Sequence, residues 1–156
     1  MQLDISIEKD VKKLISTALN NFKSIDVIIN NAGVYGPIGR IEDTNWNTWV
    51  KAININLLGS ILVIKNCISL LKKQNNGKII QISGGGATNP MPNFSSYAVS
   101  KIGIVRFIET VSEETKNYNI DINAISPGAL NTKMLDELLE SGPEKVGKDF
   151  YKRSIK

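Results

Sequence analysis

Tyr97 and Lys101 are the residues whose types and spacing most directly indicate chemistry. Residues four positions apart on a helix share a face, so this phenol and this ammonium would lie side by side. A phenol has a pKa of about 10, which has to fall to about 7 for efficient proton transfer at neutral pH. That change corresponds to about 4 kcal/mol, which a cation about 4 Å away supplies at an effective dielectric constant of about 20. We therefore predict that Tyr97 is the general acid/base for a carbonyl or alcohol and that Lys101 lowers its pKa.

The predicted elements around this pair place it shortly after the carboxyl end of a strand. Residues 78–82 form an apolar strand that runs into Ser83 and three consecutive glycines, and the helix that carries Tyr97 follows. An isolated Tyr-x-x-x-Lys pair is more often an exposed tyrosine and a solvated lysine on a helix surface. The functional interpretation therefore depends on the rest of the sequence.

Strand and helix patterns alternate along the chain. Ser6 is the expected cap of a first helix, and Thr44 that of a long helix with one apolar stripe. The predicted strands are residues 25–30, 78–83 and 120–126, and the Tyr97 helix is expected to end near Lys116. The continuous apolar run at 25–30 is typical of a strand buried on both faces of a parallel sheet. This alternation predicts an α/β fold with a doubly wound, Rossmann-like parallel sheet whose ligands bind at the carboxyl ends of the strands.

Composition excludes several other functions. The chain has 156 residues, a net charge of +4, no histidine and one cysteine, Cys67. A disulfide framework and a zinc or iron site are therefore not expected, and the absence of a basic run with interleaved aromatics argues against nucleic-acid binding. We found no leader pattern and no apolar segment of membrane-spanning length. The expectation is a soluble, cytoplasmic protein with no membrane partner.

Four sequence blocks occur in an order that carries further information. They are Asn30-Asn31-Ala32-Gly33, Asn56-Leu57-Leu58-Gly59, the Tyr97/Lys101 pair, and Pro127-Gly128 followed by Thr132. Together they resemble the classical short-chain dehydrogenase/reductase (SDR) family over nearly the whole chain. The combination is far more specific than any single block.

The resemblance implies a set of catalytic residues. They are Asn56, Ser83, Tyr97 and Lys101. The implied role of Asn56 is to disturb the long helix locally and to hold a water molecule that relays protons to Lys101. Asn54 is a nearby competitor, and Asn56 is chosen for its position relative to Gly59.

The resemblance also implies NAD or NADP as the cofactor. According to this resemblance, Asp4 would contact the adenine of the cofactor, and Ala32 and Gly33 would let the backbone approach a ribose. Thr132 would bind the carboxamide of the nicotinamide. The full set of implied cofactor-binding residues is Asp4, Ile5, Asn30, Ala32, Gly33, Tyr97, Lys101, Pro127, Gly128, Leu130 and Thr132.

The sequence departs from the family pattern at the catalytic serine. The family places this serine thirteen residues before the tyrosine, and Gly84 stands there. Ser83 lies one position early, and adjacent side chains in a regular strand face opposite ways. Ser83 serves only if the loop bends, which consecutive glycines permit. Other candidate hydroxyls are Thr88, Ser95 and Ser96.

A second departure concerns the ends of the chain. No Thr-Gly-x-x-x-Gly-x-Gly phosphate-binding loop occurs, and the spacing of Gly33, Gly36 and Gly39 does not substitute for it. The sequence therefore resembles a single partial Rossmann-like SDR domain over residues 1–156. It would begin near the family's strand three and be incomplete at the N-terminus and at the C-terminus. Residues 130–156 resemble a substrate lid, and the same residues also fit an amphipathic helix followed by a polar tail.

Two functions from different classes follow. The first is an NAD(P)-dependent oxidoreductase that transfers hydride between nicotinamide and a small carbonyl or alcohol, with a homodimer or homotetramer formed through helices 44–73 and 96–117. The alternative is a catalytically silent remnant that acts as a dimerisation or interaction module. Extended-type sugar-nucleotide enzymes share Tyr-x-x-x-Lys, but the Asn-Asn-Ala-Gly block argues against them.

Overall fold

The computed structural model describes residues 1–128 and 130–155, which form three strands and six α-helices. Single 3₁₀ turns precede α2 and follow β2. The type of each main element agrees with the sequence prediction, and the strand bounds differ by one or two residues. In chain order the elements are α1 Glu8–Phe22, β1 Val27–Asn30, α2 Trp46–Ile53, a π-helical segment Asn54–Gly59, α3 Ser60–Gln74, β2 Gly77–Ile82, α4 Ser95–Thr115, β3 Ile120–Ile125, α5 Lys133–Val146 and α6 Lys148–Ser154.

The three strands form one parallel sheet in the order β1-β2-β3. Both pairings are parallel: β1 pairs with β2 from Val27 and Lys78 onward, and β2 pairs with β3 from Gly77 and Ile120 onward. Their carboxyl ends therefore meet at one edge of the sheet, as predicted for Asn30, Ser83 and Pro127. The arrangement confirms the α/β, Rossmann-like fold class, with β1 and β3 as the edge strands of the described sheet.

One face of the sheet carries the main core. Ile79 of β2 and Ile122 of β3 are buried there against α3 and α4, and Ile28 of β1 packs on the same cluster. The fully buried helix residues that meet them belong to the apolar stripes of α3 and α4, which recur at helical spacing. The buried members of this cluster are Ile64, Leu71, Ile79, Ile108, Val111, Ile120 and Ile122.

The opposite face of the sheet corrects one prediction. The apolar run at 25–30 was expected to be buried on both faces, yet Val27 and Ile29 are 52% and 66% exposed. These two side chains alternate with Ile28 and Asn30, which face the helices. An apolar run favours burial, but the described helices that pack on the sheet meet its other face, so β1 is covered on one side.

Both predicted helix caps are wrong, and local hydrogen bonds explain why. The Ser6 hydroxyl donates to the Asp4 carboxylate at 2.7 Å instead of capping α1. The Thr44 hydroxyl donates to the Ile41 carbonyl, while the Asn45 side chain accepts a backbone N–H from the first turn of α2. Short polar side chains compete for the nearest backbone group, so neighbouring candidates for a cap are hard to rank from sequence.

The long helix Trp46–Gln74 corrects the expectation that no apolar segment reaches membrane-spanning length. It has 29 residues and a mean hydropathy of 1.6 over its most apolar stretch, which is enough to cross a bilayer by length and composition. The core helix of a soluble protein meets the same criterion. Here the helix packs on α1, α4 and β2, and it buries the polar side chains of Asn56 and Ser60 in the protein.

The segment after β3 forms a second core with the start of α4. Phe94 and Tyr97 are buried there against Leu138 and Val146, and α5 bends at Gly142, where φ is 76°. The predicted lid at 130–156 is therefore largely a bent helical pair packed beside Tyr97. Lys156, at its end, lies outside the described residues.

Candidate active site

Tyr97 and Lys101 lie on the first turns of α4, at the carboxyl edge of the sheet. Both are buried, with 8% and 5% of their surfaces exposed. The Lys101 Nζ atom lies 5.3 Å from the centroid of the Tyr97 ring, so the two side chains share one helix face as their spacing predicts. This burial does not fit the alternative interpretation of an exposed tyrosine and a solvated lysine on a helix surface.

A backbone carbonyl holds the Lys101 ammonium in place. Nζ donates to the Ile82 carbonyl oxygen at 3.0 Å, at the end of β2. The same oxygen accepts a second hydrogen bond from Gln81 Nε2 at 3.1 Å. Because burial disfavours the charged form, the pKa of Lys101 falls from 10.5 to about 8.

The pKa of Tyr97 moves in the direction opposite to the prediction. Burial of the phenol raises it from 10.0 to about 12, and the neighbouring Tyr35 phenol adds to the effect. The Tyr35 ring lies 5.1 Å from the Tyr97 ring, centroid to centroid. The sequence argument expected the attraction of the nearby ammonium to exceed the cost of desolvation, whereas desolvation of the phenolate is the larger effect in the folded chain.

Asn56 connects the long helix to the loop after β1. Its Oδ1 accepts the Val34 backbone N–H at 2.8 Å, and its Nδ2 donates to the Val34 carbonyl at 2.7 Å. The π-helical segment Asn54–Gly59 contains this residue, so the helix is locally disturbed where the resemblance implied. Asn54, its competitor, is exposed.

Gly33 lies between Asn56 and Lys101. A Cβ atom on Gly33 would come within 3.2 Å of Asn56 Oδ1 and within 3.8 Å of Lys101 Nζ. A larger residue would fill this space, so the glycine keeps an approach open to both polar groups. Three sequence blocks that are far apart in the chain thus meet at one point.

An open cleft of about 530 Å³ extends from this point along the N-terminal segment. Four of the implied cofactor-binding residues, Asp4, Ile5, Ala32 and Gly33, line it. Ile5 also packs against Gly59, where a Cβ atom would lie 2.9 Å from Ile5 Cγ1. Hydrogen bonds from the Ser6 side chain and backbone lower the pKa of Asp4, which favours the ionised form of this carboxyl group.

Asn30 and the implied cofactor residues after β3 do not line this cleft. The Asn30 side chain is buried, and its Nδ2 donates to the Ser60 carbonyl at 3.0 Å, so it ties β1 to α3. The residues after β3 are exposed on the same edge of the sheet, and Thr132 is the N-cap residue directly before α5. The exposed set is Pro127, Gly128, Leu130 and Thr132.

The candidate substrate-binding hydroxyls differ in whether they already form hydrogen bonds within the protein. Ser83 is 4% exposed, and its Oγ has no hydrogen-bond partner among the described residues. Ser95 Oγ accepts the Trp49 Nε1–H at 2.9 Å, and Ser96 Oγ contacts the Tyr35 carbonyl at 3.4 Å. Thr88 lies on the exposed loop and accepts from Asn89. A buried hydroxyl without a partner is unusual, which favours Ser83 as a ligand-binding group.

Sequence reasoning missed three residues of the site. Tyr35 packs on Tyr97, and the Val34 backbone forms hydrogen bonds with the Asn56 side chain. The buried Gln81 side chain donates hydrogen bonds to the carbonyls of Asn30 and Ile82. Gln81 was detectable, since a polar residue inside an apolar strand is expected to bond within the core. No local pattern connects Tyr35 or Val34 with their distant partners.

Comparisons with known proteins agree with this geometry. The family model described as short chain dehydrogenase matches residues 1–142. The 3-oxoacyl-[acyl-carrier-protein] reductase of Synechocystis sp. is 32% identical over 142 residues, which are 88% of this chain and 56% of that protein. The crystal structure of levodione reductase superposes with a TM-score of 0.87 at 29% identity, covering 94% of this chain and 57% of that chain. ElxO with NADP bound gives a TM-score of 0.83 at 29% identity, covering 91% and 57%.

The chain spans a little over half the length of these relatives. Within that span the match includes all three strands and the helix that carries Tyr97 and Lys101. The chain belongs to the short-chain dehydrogenase family.

Proposed function

We propose that the protein is an NAD(P)-dependent oxidoreductase acting on a small carbonyl or alcohol. The cleft beside Gly33 would hold the cofactor, with Asp4, Ile5, Ala32 and Gly33 along its wall and Lys101 and Asn56 at its inner end. The residues after β3, among them Thr132, would contact the nicotinamide. When bound, the reduced nicotinamide supplies the hydride.

The single observation that carries this proposal is the meeting of Gly33, Asn56, Lys101 and Tyr97 at the carboxyl edge of a parallel sheet. This edge is where open α/β sheets bind their ligands. Two buried groups whose pKa values are strongly perturbed lie there, which is typical of catalytic sites.

The proton chemistry follows from the two pKa values. A Tyr97 phenol with a pKa of about 12 stays protonated at neutral pH, which suits donation of its Oη proton to the oxygen of a carbonyl being reduced. Lys101, with a pKa of about 8, is the adjacent cation that stabilises the phenolate left behind. The unpaired Ser83 hydroxyl is the proposed hydrogen-bond donor to the substrate oxygen.

Cofactor binding tests the proposal directly. We expect NADH or NADPH fluorescence to rise saturably on titration with the purified chain. The expected Kd is weaker than about 100 µM, because the sequence has no glycine-rich phosphate-binding loop. Gly33→Leu should abolish the signal by filling the space beside Asn56 and Lys101, whereas Gly85→Ala should retain it.

The alternative function gives a different result in the same experiment. A catalytically silent module shows no saturable signal with either cofactor, or a signal that Gly33→Leu leaves unchanged. Either outcome would remove the support for an oxidoreductase and leave the interaction module as the better assignment.

We also propose a homodimer or homotetramer formed through helices 44–73 and 96–117. These helices expose apolar side chains in Leu58, Val99 and Ile102, between 47% and 56% exposed. Exposed apolar side chains on these helices favour association. The particle mass from light scattering should therefore be two or four times 17.2 kDa, and a monomer at micromolar concentration would contradict the assignment.

The proposed location is the cytoplasm. The single cysteine, Cys67, is buried as a free thiol, and burial raises its pKa to about 11. An inert thiol without a partner suits a reducing compartment.

A further inference from the structure

The Ile82 carbonyl oxygen accepts hydrogen bonds from two side chains at the end of β2. Gln81 Nε2 donates to it at 3.1 Å, and Lys101 Nζ donates to it at 3.0 Å. The pairing of β2 with β1 ends at Gln81, so Ile82 lies just beyond that pairing. We propose that Gln81 is a positioning residue that holds the Ile82 carbonyl oxygen in place and, through it, the Lys101 ammonium.

The Gln81 amide is itself held at a second point. Its Nε2 also donates to the Asn30 carbonyl at 3.1 Å, so the two N–H groups of one amide nitrogen account for both contacts. Asn30 is in turn tied to α3, because its Nδ2 donates to the Ser60 carbonyl at 3.0 Å. Gln81 therefore joins the ends of two neighbouring strands, and its amide is fixed while it holds the Ile82 oxygen.

The burial of Gln81 indicates that its two donated hydrogen bonds are the reason for an amide at this position. The residue is 1% exposed, and its Oε1 has no hydrogen-bond partner among the described residues. A buried acceptor without a partner lowers stability, whereas an apolar side chain of similar size would fill the space without that loss. The opposite amide orientation would turn Oε1 toward two carbonyl oxygens, so donation by Nε2 requires the orientation that leaves Oε1 unpaired.

The anchored ammonium keeps donors for a ligand. A lysine ammonium has three N–H donors, and among the described residues the Ile82 oxygen accepts one of them. The other two remain for a ligand in the space that Gly33 keeps open. The distance of 5.3 Å between Nζ and the centroid of the Tyr97 ring thus depends on an oxygen that Gln81 holds.

Gln74 provides a matched control. Its Nε2 also donates to two backbone carbonyls, those of Ile25 at 3.1 Å and Asn76 at 3.5 Å. Gln74 ends α3 beside the amino end of β1, whereas Lys101 lies at the carboxyl edge of the sheet. Methionine is similar in length to glutamine and has no N–H donor, so Gln74→Met and Gln81→Met remove the same chemistry at opposite edges of the sheet.

The first test measures the lysine itself and needs no activity. The full chain is labelled with ¹³Cε-lysine, and the Lys101 resonance is assigned by its loss in Lys101→Met. Gln81→Met should lower the order parameter of the Lys101 Cε methylene, because the acceptor of the ammonium is less firmly held. Gln74→Met should leave it unchanged. An unchanged Lys101 order parameter in Gln81→Met overturns the proposal.

The second test measures the coupling of the two donors through thermal stability. In the parent, Gln81→Met leaves the Ile82 oxygen with one side-chain donor, whereas in the Lys101→Met background it leaves none. The melting temperature should therefore fall by about 2–4 °C more in the Lys101→Met background than in the parent. Gln74→Met should lower it equally in both backgrounds. A loss for Gln81→Met that is equal or smaller in the Lys101→Met background overturns the proposal.

Gln81→Glu decides the question if Gln81→Met does not fold. Glutamate keeps the length of the side chain, and a carboxylate beside the shared oxygen would lie close to the ammonium and favour its charged form. The titration midpoint of Lys101, followed by the same ¹³Cε resonance, should rise by about one pH unit or more. Gln74→Glu should leave the midpoint in place. An unmoved midpoint in Gln81→Glu overturns the proposal.

A third test rests on the proposed function. For a ketone that the parent protein reduces, Gln81→Met should lower kcat by about tenfold or more and change KM by less than about twofold. The reason is that Lys101 stabilises the phenolate formed during the reaction and not the bound ketone. An unchanged kcat overturns the positioning role. If the parent reduces no ketone, the oxidoreductase assignment fails by itself, and the two tests on stability and on the lysine still decide the role of Gln81.

Discussion

Replacing Tyr97 by phenylalanine is expected to lower kcat for reduction of a small ketone by about 10³-fold. The variant keeps the ring that packs on Tyr35 and Phe94 but loses the proton donor, and general acid catalysis contributes about 10²–10⁴-fold. The phenol is buried and stays protonated at neutral pH, so it is available to donate its proton. Rates of NADPH oxidation with a panel of ketones, among them a 3-oxoacyl thioester, measure the loss.

Cofactor affinity separates this effect from misfolding. The dissociation constant for NADPH should change by less than about twofold, because the hydroxyl contributes little to the apolar packing around it. Tyr118→Phe is the matched control, since Tyr118 is a largely exposed tyrosine that contacts Lys72 away from the site. Turnover retained within about tenfold in Tyr97→Phe would show that another group transfers the proton.

Replacing Lys101 by methionine is expected to stabilise the fold at pH 7 by up to about 3 kcal/mol. Burial lowers the pKa of this lysine to about 8, and a change of that size corresponds to about 3 kcal/mol of differential stability between its protonation states. Methionine fills a similar volume without a charge. The Ile82 carbonyl loses its hydrogen bond from Lys101 Nζ in this variant, but it still accepts one from Gln81 Nε2 and is not left unpaired.

The pH dependence of the free energy of unfolding is the more specific test of this prediction. Between about pH 8 and pH 10.5 the unfolded chain keeps the Lys101 proton while the folded chain has released it, so the free energy of unfolding rises with pH in this window. Tyr97 has the opposite effect, because its raised pKa makes the folded chain hold a proton that the unfolded chain loses, but only above about pH 10. Urea unfolding of the parent at pH 7, 8, 9 and 10 should show the rise, and Lys101→Met should show little of it.

An exposed lysine provides the comparison for this result. Lys9 lies on the solvent side of α1, so Lys9→Met should retain the slope of the parent between pH 8 and pH 10. A slope in Lys101→Met equal to that of Lys9→Met would mean that the buried ammonium is not the source of the pH dependence.

The order and type of the main elements could be predicted from the sequence, and so could most residues of the candidate site. Periodicity and spacing act over one helical turn or one strand, so the shared face of Tyr97 and Lys101 and the apolar stripes of α3 and α4 follow from local geometry. The resemblance identified Asn56 ahead of Gly59, and the π-helical segment is found there. These features depend on neighbours that are close in the chain.

The solvation and the contacts of each group depend on long-range packing and became known from the three-dimensional structure. The pKa of Tyr97 rises because α5 and Tyr35 bury its phenol, and both lie far from it in sequence. Val27 and Ile29 are exposed because the helices that pack on the sheet cover its other face, and the Asn30 side chain turns inward to the Ser60 carbonyl. Desolvation and steric fit are set by long-range packing, which the identity and spacing of nearby residues do not specify.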